Sequence, residues 1–265
     1  MAENMANVMF VMQKRPDGLA SITLDRPEKH NAFTAETILG LTHAFHTLGQ
    51  DPDVRAILLS GNGPSFCAGA DAQWMREQAT ASDADNRADA MRLSDMLATI
   101  NDCSKTVICI AHGNVFGGGV GLVACADLVI ARPQTQFRLS EVRLGLTPAT
   151  ISPFVVAKIG QSHARRYFLT AESFGAEQAV QIGLAHIVSD DPQAQVEAWL
   201  AQVLLGAPGA IADAKSLIRD VSDRPISFSL RSETADRIAD RRASPEGREG
   251  LAAFLEKRKP GWAQA

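Results

Sequence analysis

The chain has 265 residues, 46% of them hydrophobic and 21% charged, and 26 basic against 30 acidic side chains leave a formal charge of −4. This profile excludes collagen-like, coiled-coil, disordered and disulfide-scaffold classes. It also lacks the clustered positive field that nucleic acid or an anionic membrane surface demands, so neither is expected as a partner. The longest apolar stretches, Val120–Ala126 and Leu128–Ala131, fall far short of the ~20 residues of a membrane helix. Cys67, Cys103, Cys109 and Cys125 form no C-x-x-C pair and no histidine stands at ligand spacing from them. The reading is therefore no metal site, and reduced thiols in a cytoplasmic protein. The opening MAENMANVMFVMQK carries neither a basic n-region nor an Arg-rich transit pattern, which agrees with a cytoplasmic location.

Residues 8–13 and 19–25 read as two strands around the turn Arg15-Pro16-Asp17-Gly18. Thr34 is placed to cap a helix whose face is Ile38, Leu41, Phe45 and Leu48, with Gly49 just past its end. Val54–Ser60 is a buried strand by its run Ala56-Ile57-Leu58-Leu59. Arg76–Asp89 shows no hydrophobic face and reads as a surface helix or a mobile segment, a candidate cover over a neighbouring site. A helix is predicted near Met91–Asn101, and buried strands at Thr106–Ala111 and Leu128–Ala131. After the short apolar Leu184–Val188 the chain reads as helical over 194–205, 210–221, 226–243 and 246–257. The division is thus an α/β body over 1–190 and a helical region over 191–265. Two strand–loop–Gly–helix units, 54–75 and 106–126, suggest a ββα build.

Three elements carry chemistry. Gly117-Gly118-Gly119 stands between a strand and an apolar helix, where backbone N–H groups lack intrahelical partners and suit an anion or a developing oxyanion. A tight turn alone would also explain the glycines. Gly119-Val120-Gly121-Leu122-Val123-Ala124 fits the dinucleotide fingerprint, but the strand ends near Ala111 and the helix is too short for a Rossmann crossover. Phe66-Cys67-Ala68-Gly69-Ala70-Asp71 is a second small-residue loop after a buried strand, able to supply a second amide to the same oxygen. Glu141 lies among apolar residues that would raise its pKa toward acid/base use. Taken alone it is more simply a salt-bridge partner of Arg138 or Arg143. His112, ending a strand, reads as a hydrogen-bonded core residue rather than a base.

Asn31-Ala32-Phe33, Phe66–Asp71, Gly113–Gly121 and Ser140–Gly145 with Pro148 resemble the crotonase (enoyl-CoA hydratase/isomerase) superfamily. The likeness continues through Arg165–Thr170 and Ala179–Leu184 to Phe254–Arg258, in the family's order over nearly the whole chain. It implies an α/β fold, a crotonase-like spiral of ββα repeats with a helical C-terminal trimerisation region, assembled as homotrimers or dimers of trimers. It also implies an acyl-CoA substrate with no metal or separate cofactor, since coenzyme A enters with the substrate.

By the same resemblance the amides of Ala70 and Gly118 form an oxyanion hole and Glu141 is the acid/base. Coenzyme A and substrate contacts fall to Lys29, Ala32, Ala68, Asp71, Ala72, Gly117, Arg143 and Pro148, with Phe254 and Lys257 reaching from the tail. Lys257 is equally a charge in the solvated run Lys257-Arg258-Lys259. Family hydratases use two glutamates, and the first falls here at Gly121. A 3,2-enoyl-CoA isomerase needs only one base, and a non-catalytic acyl-CoA binder needs none. Finer likeness points to bacterial methylglutaconyl-CoA hydratase-type members of leucine or acyclic-terpene breakdown, which also resemble this chain in lacking that glutamate. Their substrates end in a carboxylate, for which Arg138 or Arg143 is the expected partner.

Overall fold

The computed structural model describes residues 9–263; the reading of the first eight residues lies outside them. β1 (Phe10–Lys14) and β2 (Leu19–Leu24) form the expected antiparallel hairpin, with Phe10 opposite Leu24. A 3-10 turn (Pro27–Lys29) leads to α1 (Ala35–Gln50), where the Thr34 hydroxyl accepts the Thr37 N–H at 3.2 Å. Ile38, Leu41, Phe45 and Leu48 are its buried face, as their spacing predicts. The helix continues through Gly49 and is capped by Asp51 instead.

β3 (Ala56–Gly61) is followed by α2 (Ala72–Thr80) and α3 (Asp83–Asn101). β4 (Thr106–Ala111), β5 (Asn114–Phe116) and α4 (Gly118–Cys125) come next, then β6 (Leu128–Ala131) and β7 (Gln136–Arg138). A 3-10 turn (Glu141–Leu144) precedes α5 (Ser152–Thr170), which Gly160 breaks with φ +74° and ψ 160°. β8 (Phe174–Gly175), α6 (Ala176–Gln181) and β9 (Ile187–Val188) close the body. The helical region is α7 (Pro192–Leu205), α8 (Pro208–Val221), α9 (Phe228–Ala243) and α10 (Pro245–Leu255).

The main sheet has six strands in the order β1-β2-β3-β4-β6-β9, parallel except for the β1–β2 pair. The near-continuous apolar runs of β3, β4 and β6 are explained by burial on both faces. Ile57, Leu59, Val107, Cys109 and Val129 point into the larger core, which also takes α1, α3 and α4. Their alternates Ala56, Leu58, Ile108, Ile110 and Ile130 meet Val196 and Leu200 of α7 on the other face. The boundary expected near residue 190 therefore does not separate α7 from the sheet.

A second layer holds β5, β7 and β8, with β5 parallel to β7 and β7 antiparallel to β8. Cys67 bridges Val115 and Ser65 bridges Gly113, so residues 65–67 join this layer as well. Three units thus share one order: a main-sheet strand, a short second-layer segment, then a helix. The repeat sets the starts of α2 and α4 side by side, and this builds the site.

The segment 76–89 is helical apart from the break at Ala81-Ser82, where the Ser82 hydroxyl caps α3 by accepting the Asp85 N–H at 3.2 Å. α3 therefore begins two turns before the predicted helix at Met91. No helix among the described residues is long and apolar enough to cross a membrane.

Candidate active site

Residues 65–71 are pinned from two sides. Phe66 N–H donates to the His112 carbonyl (2.9 Å), and Phe116 N–H donates to the Cys67 carbonyl (2.9 Å). From the other side Phe33 N–H donates to the Gly69 carbonyl (2.8 Å), and Asp71 N–H donates to the Phe33 carbonyl (2.9 Å). These bonds flank Ala70 and leave its own N–H without a protein acceptor among the described residues. Gly117 N–H donates to the Arg138 carbonyl (2.9 Å), holding the start of α4 against the end of β7. The next amide, Gly118 N–H, opens the helix and likewise meets no protein acceptor among the described residues. Gly117 itself has φ +49° and ψ −116°, a conformation that requires glycine.

Ala70 and Gly118 line one cavity of about 320 Å³, and Glu141 lines it with them. Oε2 of Glu141 is buried with no hydrogen-bond partner, and a Cβ at Gly117 would stand 3.1 Å from Oε1. Burial pushes this carboxyl above the ordinary carboxylate range. The simpler salt-bridge reading is not found. Arg138 donates to the Ser173 hydroxyl (2.7 Å) and lies over the Phe116 ring, while Arg143 is exposed. Two amides without acceptors and one buried carboxyl of raised pKa in a single pocket can stabilise an oxyanion and carry a proton.

Gly121, where the family's first glutamate falls, is filled from outside. A Cβ there would lie 2.6 Å from Cγ2 of Ile151 and 3.5 Å from Cδ2 of Leu97. The position is apolar and closed.

Of the other predicted residues, Ala68, Gly117 and Pro148 line the cavity. Ala32 is buried just behind, its carbonyl accepting from Arg26 at 3.0 Å. Lys29 and Ala72 are exposed and outside the lining, as is Arg143. Phe254, 80% exposed on α10, and Lys257 lie outside it too. His112 is not in the lining; its Nε2 pairs with the Gly63 carbonyl at 3.0 Å, and burial lowers its pKa.

Asp71 has a structural task. Its Oδ1 accepts the Gln73 N–H (2.9 Å) at the start of α2 and its Oδ2 pairs with Arg26 (3.1 Å), which together hold its carboxyl below the usual range. Both side chains are largely buried, so Asp71→Ala strands a guanidinium and removes a helix cap. A stability loss of about 3–5 kcal/mol is expected by urea unfolding. A loss below about 1 kcal/mol would show that the pair behaves as a solvent-screened one.

The opposite wall is made by Trp74, Met75 and Gln78 of α2 and Asn86, Asp89 and Leu93 of α3, so the segment 76–89 expected as a cover does border the cavity, while sequence reasoning singled out none of these side chains as site residues. One signal was available. Asp89, Leu93, Met96, Leu97 and Ile100 share helical spacing, so the apolar stripe of α3 runs back onto Asp89.

The family model described as enoyl-CoA hydratase/isomerase matches residues 14–265. The chain belongs to the enoyl-CoA hydratase/isomerase family. It is similar to the enoyl-CoA hydratase AKT6-1 of Alternaria alternata, 34% identical over 99% of this chain and 87% of that one. A probable enoyl-CoA hydratase of Rhodobacter capsulatus is 33% identical over 92% of this chain and 94% of its own length. Among solved structures, an enoyl-CoA hydratase from Shewanella pealeana superposes with a TM-score of 0.94 at 38% identity, covering 96% of each chain. Membership makes this chain an enzyme acting on acyl-CoA, with the crotonase fold. Among the described residues no group of three or more His, Cys, Asp or Glu is placed to hold a metal ion.

Proposed function

We propose that this chain is an enoyl-CoA hydratase that adds water across the α,β-double bond of an acyl-CoA thioester. The observation that carries the reading is the buried, unpaired Oε2 of Glu141 in one cavity with the acceptor-free amides of Ala70 and Gly118. The Glu141 carboxylate takes a proton from water as the water oxygen bonds to the β-carbon. The π electrons move toward the thioester, and the charge collecting on its oxygen is held by the two N–H groups. Glu141 then returns the proton to the α-carbon and the thioester carbonyl re-forms. Preorganised donors stabilise this enolate more than the ground-state carbonyl, which is what accelerates the step.

Coenzyme A would leave the cavity past Ala68 toward Lys29 and His30, whose carbonyl accepts the Ala68 N–H at 3.0 Å. Assembly into a trimer or dimer of trimers is part of the proposal. It is supported by the exposed Phe228, Phe254 and Leu255 of the helical region, and light scattering checks it.

The apolar plug at Gly121 gives a second reading, since isomerisation of a 3-enoyl-CoA needs only one carboxyl at the reacting carbons. Product analysis with crotonyl-, 3-methylglutaconyl- and 3-hexenoyl-CoA separates the two. A 3-hydroxyacyl product supports hydration, bond migration without added water supports isomerisation, and binding without turnover identifies an acyl-CoA binder.

The plug also predicts that the family's glutamate cannot simply be restored. Gly121→Glu is expected to lower stability by about 2–4 kcal/mol in urea unfolding and to give no gain in hydration. A stable variant with faster hydration would show that the position accepts a second carboxylate.

A further inference from the structure

The ionisable side chains of the cavity lining are Glu141 and Asp89, with no Lys, Arg or His among them. Asp89 is unusual for its place. Its side chain is only 8% exposed on a half of α3 that otherwise faces solvent. One oxygen pairs with Arg92 at 2.7 Å, and the other accepts the Gln78 side-chain amide from α2. Arg92 is 43% exposed and outside the lining, so the pair turns its carboxylate, not its guanidinium, toward the cavity. Asp89 shares the α2–α3 wall of the cavity with Trp74, Gln78 and Leu93, across from the start of α4 and Glu141. An acyl group that runs along this wall meets Asp89.

We propose that Asp89 is a specificity-determining residue that admits medium-length acyl groups with an uncharged or hydroxylated far end and rejects those ending in a carboxylate. The inference rests on the enoyl-CoA reading of this site. A terminal carboxylate would meet the negative end of the Asp89–Arg92 pair, with no cation in the lining to answer it. The cations expected for it, Arg138 and Arg143, are absent from the lining. A terminal hydroxyl, by contrast, can donate to a carboxylate oxygen, each of which accepts more than one hydrogen bond.

The test compares kcat/KM for trans-2-octenoyl-, 8-hydroxy-trans-2-octenoyl- and trans-2-octenedioyl-CoA, matched in length, in the wild type, Asp89→Asn and Asp89→Glu. The wild type is expected to take octenedioyl-CoA at least about tenfold less well than octenoyl-CoA. Asp89→Asn should shrink that ratio to within about threefold, and Asp89→Glu should preserve it. A role confined to joining α2 to α3 would lower all three substrates together and leave the ratio unchanged, which overturns the proposal. So does a wild type that takes octenedioyl- and octenoyl-CoA alike. If folded wild type hydrates none of them, the hydratase reading fails separately, and the same ratio is then read from calorimetric Kd values for the three thioesters.

Discussion

Glu141→Gln is expected to lower kcat for hydration by about 10²–10⁴-fold, the range that a positioned general acid/base contributes. At neutral pH the same substitution should make the protein more stable. Burial raises the folded-state pKa of Glu141 above its ordinary value of 4.5, whereas the unfolded chain titrates near that value. At low pH both states hold the proton and the residue imposes no charge cost. As pH rises the unfolded chain releases its proton first, so the folded state binds more protons and stability falls with pH until the folded pKa is passed. Glutamine never ionises and escapes this cost. A gain in stability, read as a higher thermal midpoint, is expected at pH 7–8 and should shrink below about pH 4. The wild-type kcat/KM should rise with pH on an acid limb above the ordinary carboxylate range, because the base must be ionised. A variant that loses both activity and stability would make Glu141 a structural residue.

Gly118→Ala carries the second large effect. A Cβ at this position would stand 2.6 Å from Cε2 and 3.0 Å from Cδ2 of Phe33. Phe33 is 1% exposed and cannot swing into solvent, so the start of α4 must move instead, taking the Gly118 N–H with it. Loss of one oxyanion donor typically costs ~10²–10³ in kcat. Because the donor acts mainly in the transition state, kcat and kcat/KM should fall together while KM changes little. A thermal melt guards the interpretation, since Val120, Leu122 and Val123 of α4 are wholly buried. A folded Gly118→Ala enzyme with wild-type kcat would remove this amide from the mechanism.

What the sequence reveals depends on whether an element carries its own pattern. Leu128–Ala131 and Thr106–Ala111 are legible to the residue because strands buried on both faces are unbroken apolar runs. Thr34 is legible because its hydroxyl satisfies a helix-start amide. β5, β7 and β8 are two or three residues long and exist through pairing with distant segments, so no local periodicity marks them. α1 passes through Gly49, whose cost as a terminus signal is overridden by packing of its neighbours Phe45 and Leu48.

The site divides in the same way. Ala70, Gly118 and Glu141 stand in motifs that the family resemblance picks out, and the fold brings them to one cavity. Arg143 sits in such a motif too, yet the 3-10 turn that turns Glu141 inward leaves Arg143 exposed and out of the lining. The segment 76–89 is legible as a cover, but Asp89 within it is hidden because it is polar although buried. A hydrophobic pattern stops where a carboxylate begins, although the buried face continues.

The most direct test is turnover of crotonyl-CoA in deuterated water by the wild type and Glu141→Gln, with the product examined for added oxygen and for deuterium at the α-carbon. The account predicts 3-hydroxybutyryl-CoA with one deuterium at that carbon from the wild type, formed at least about 10²-fold more slowly by the variant. Wild-type rates in Glu141→Gln, or a wild type that binds crotonyl-CoA and never hydrates it, would contradict the account.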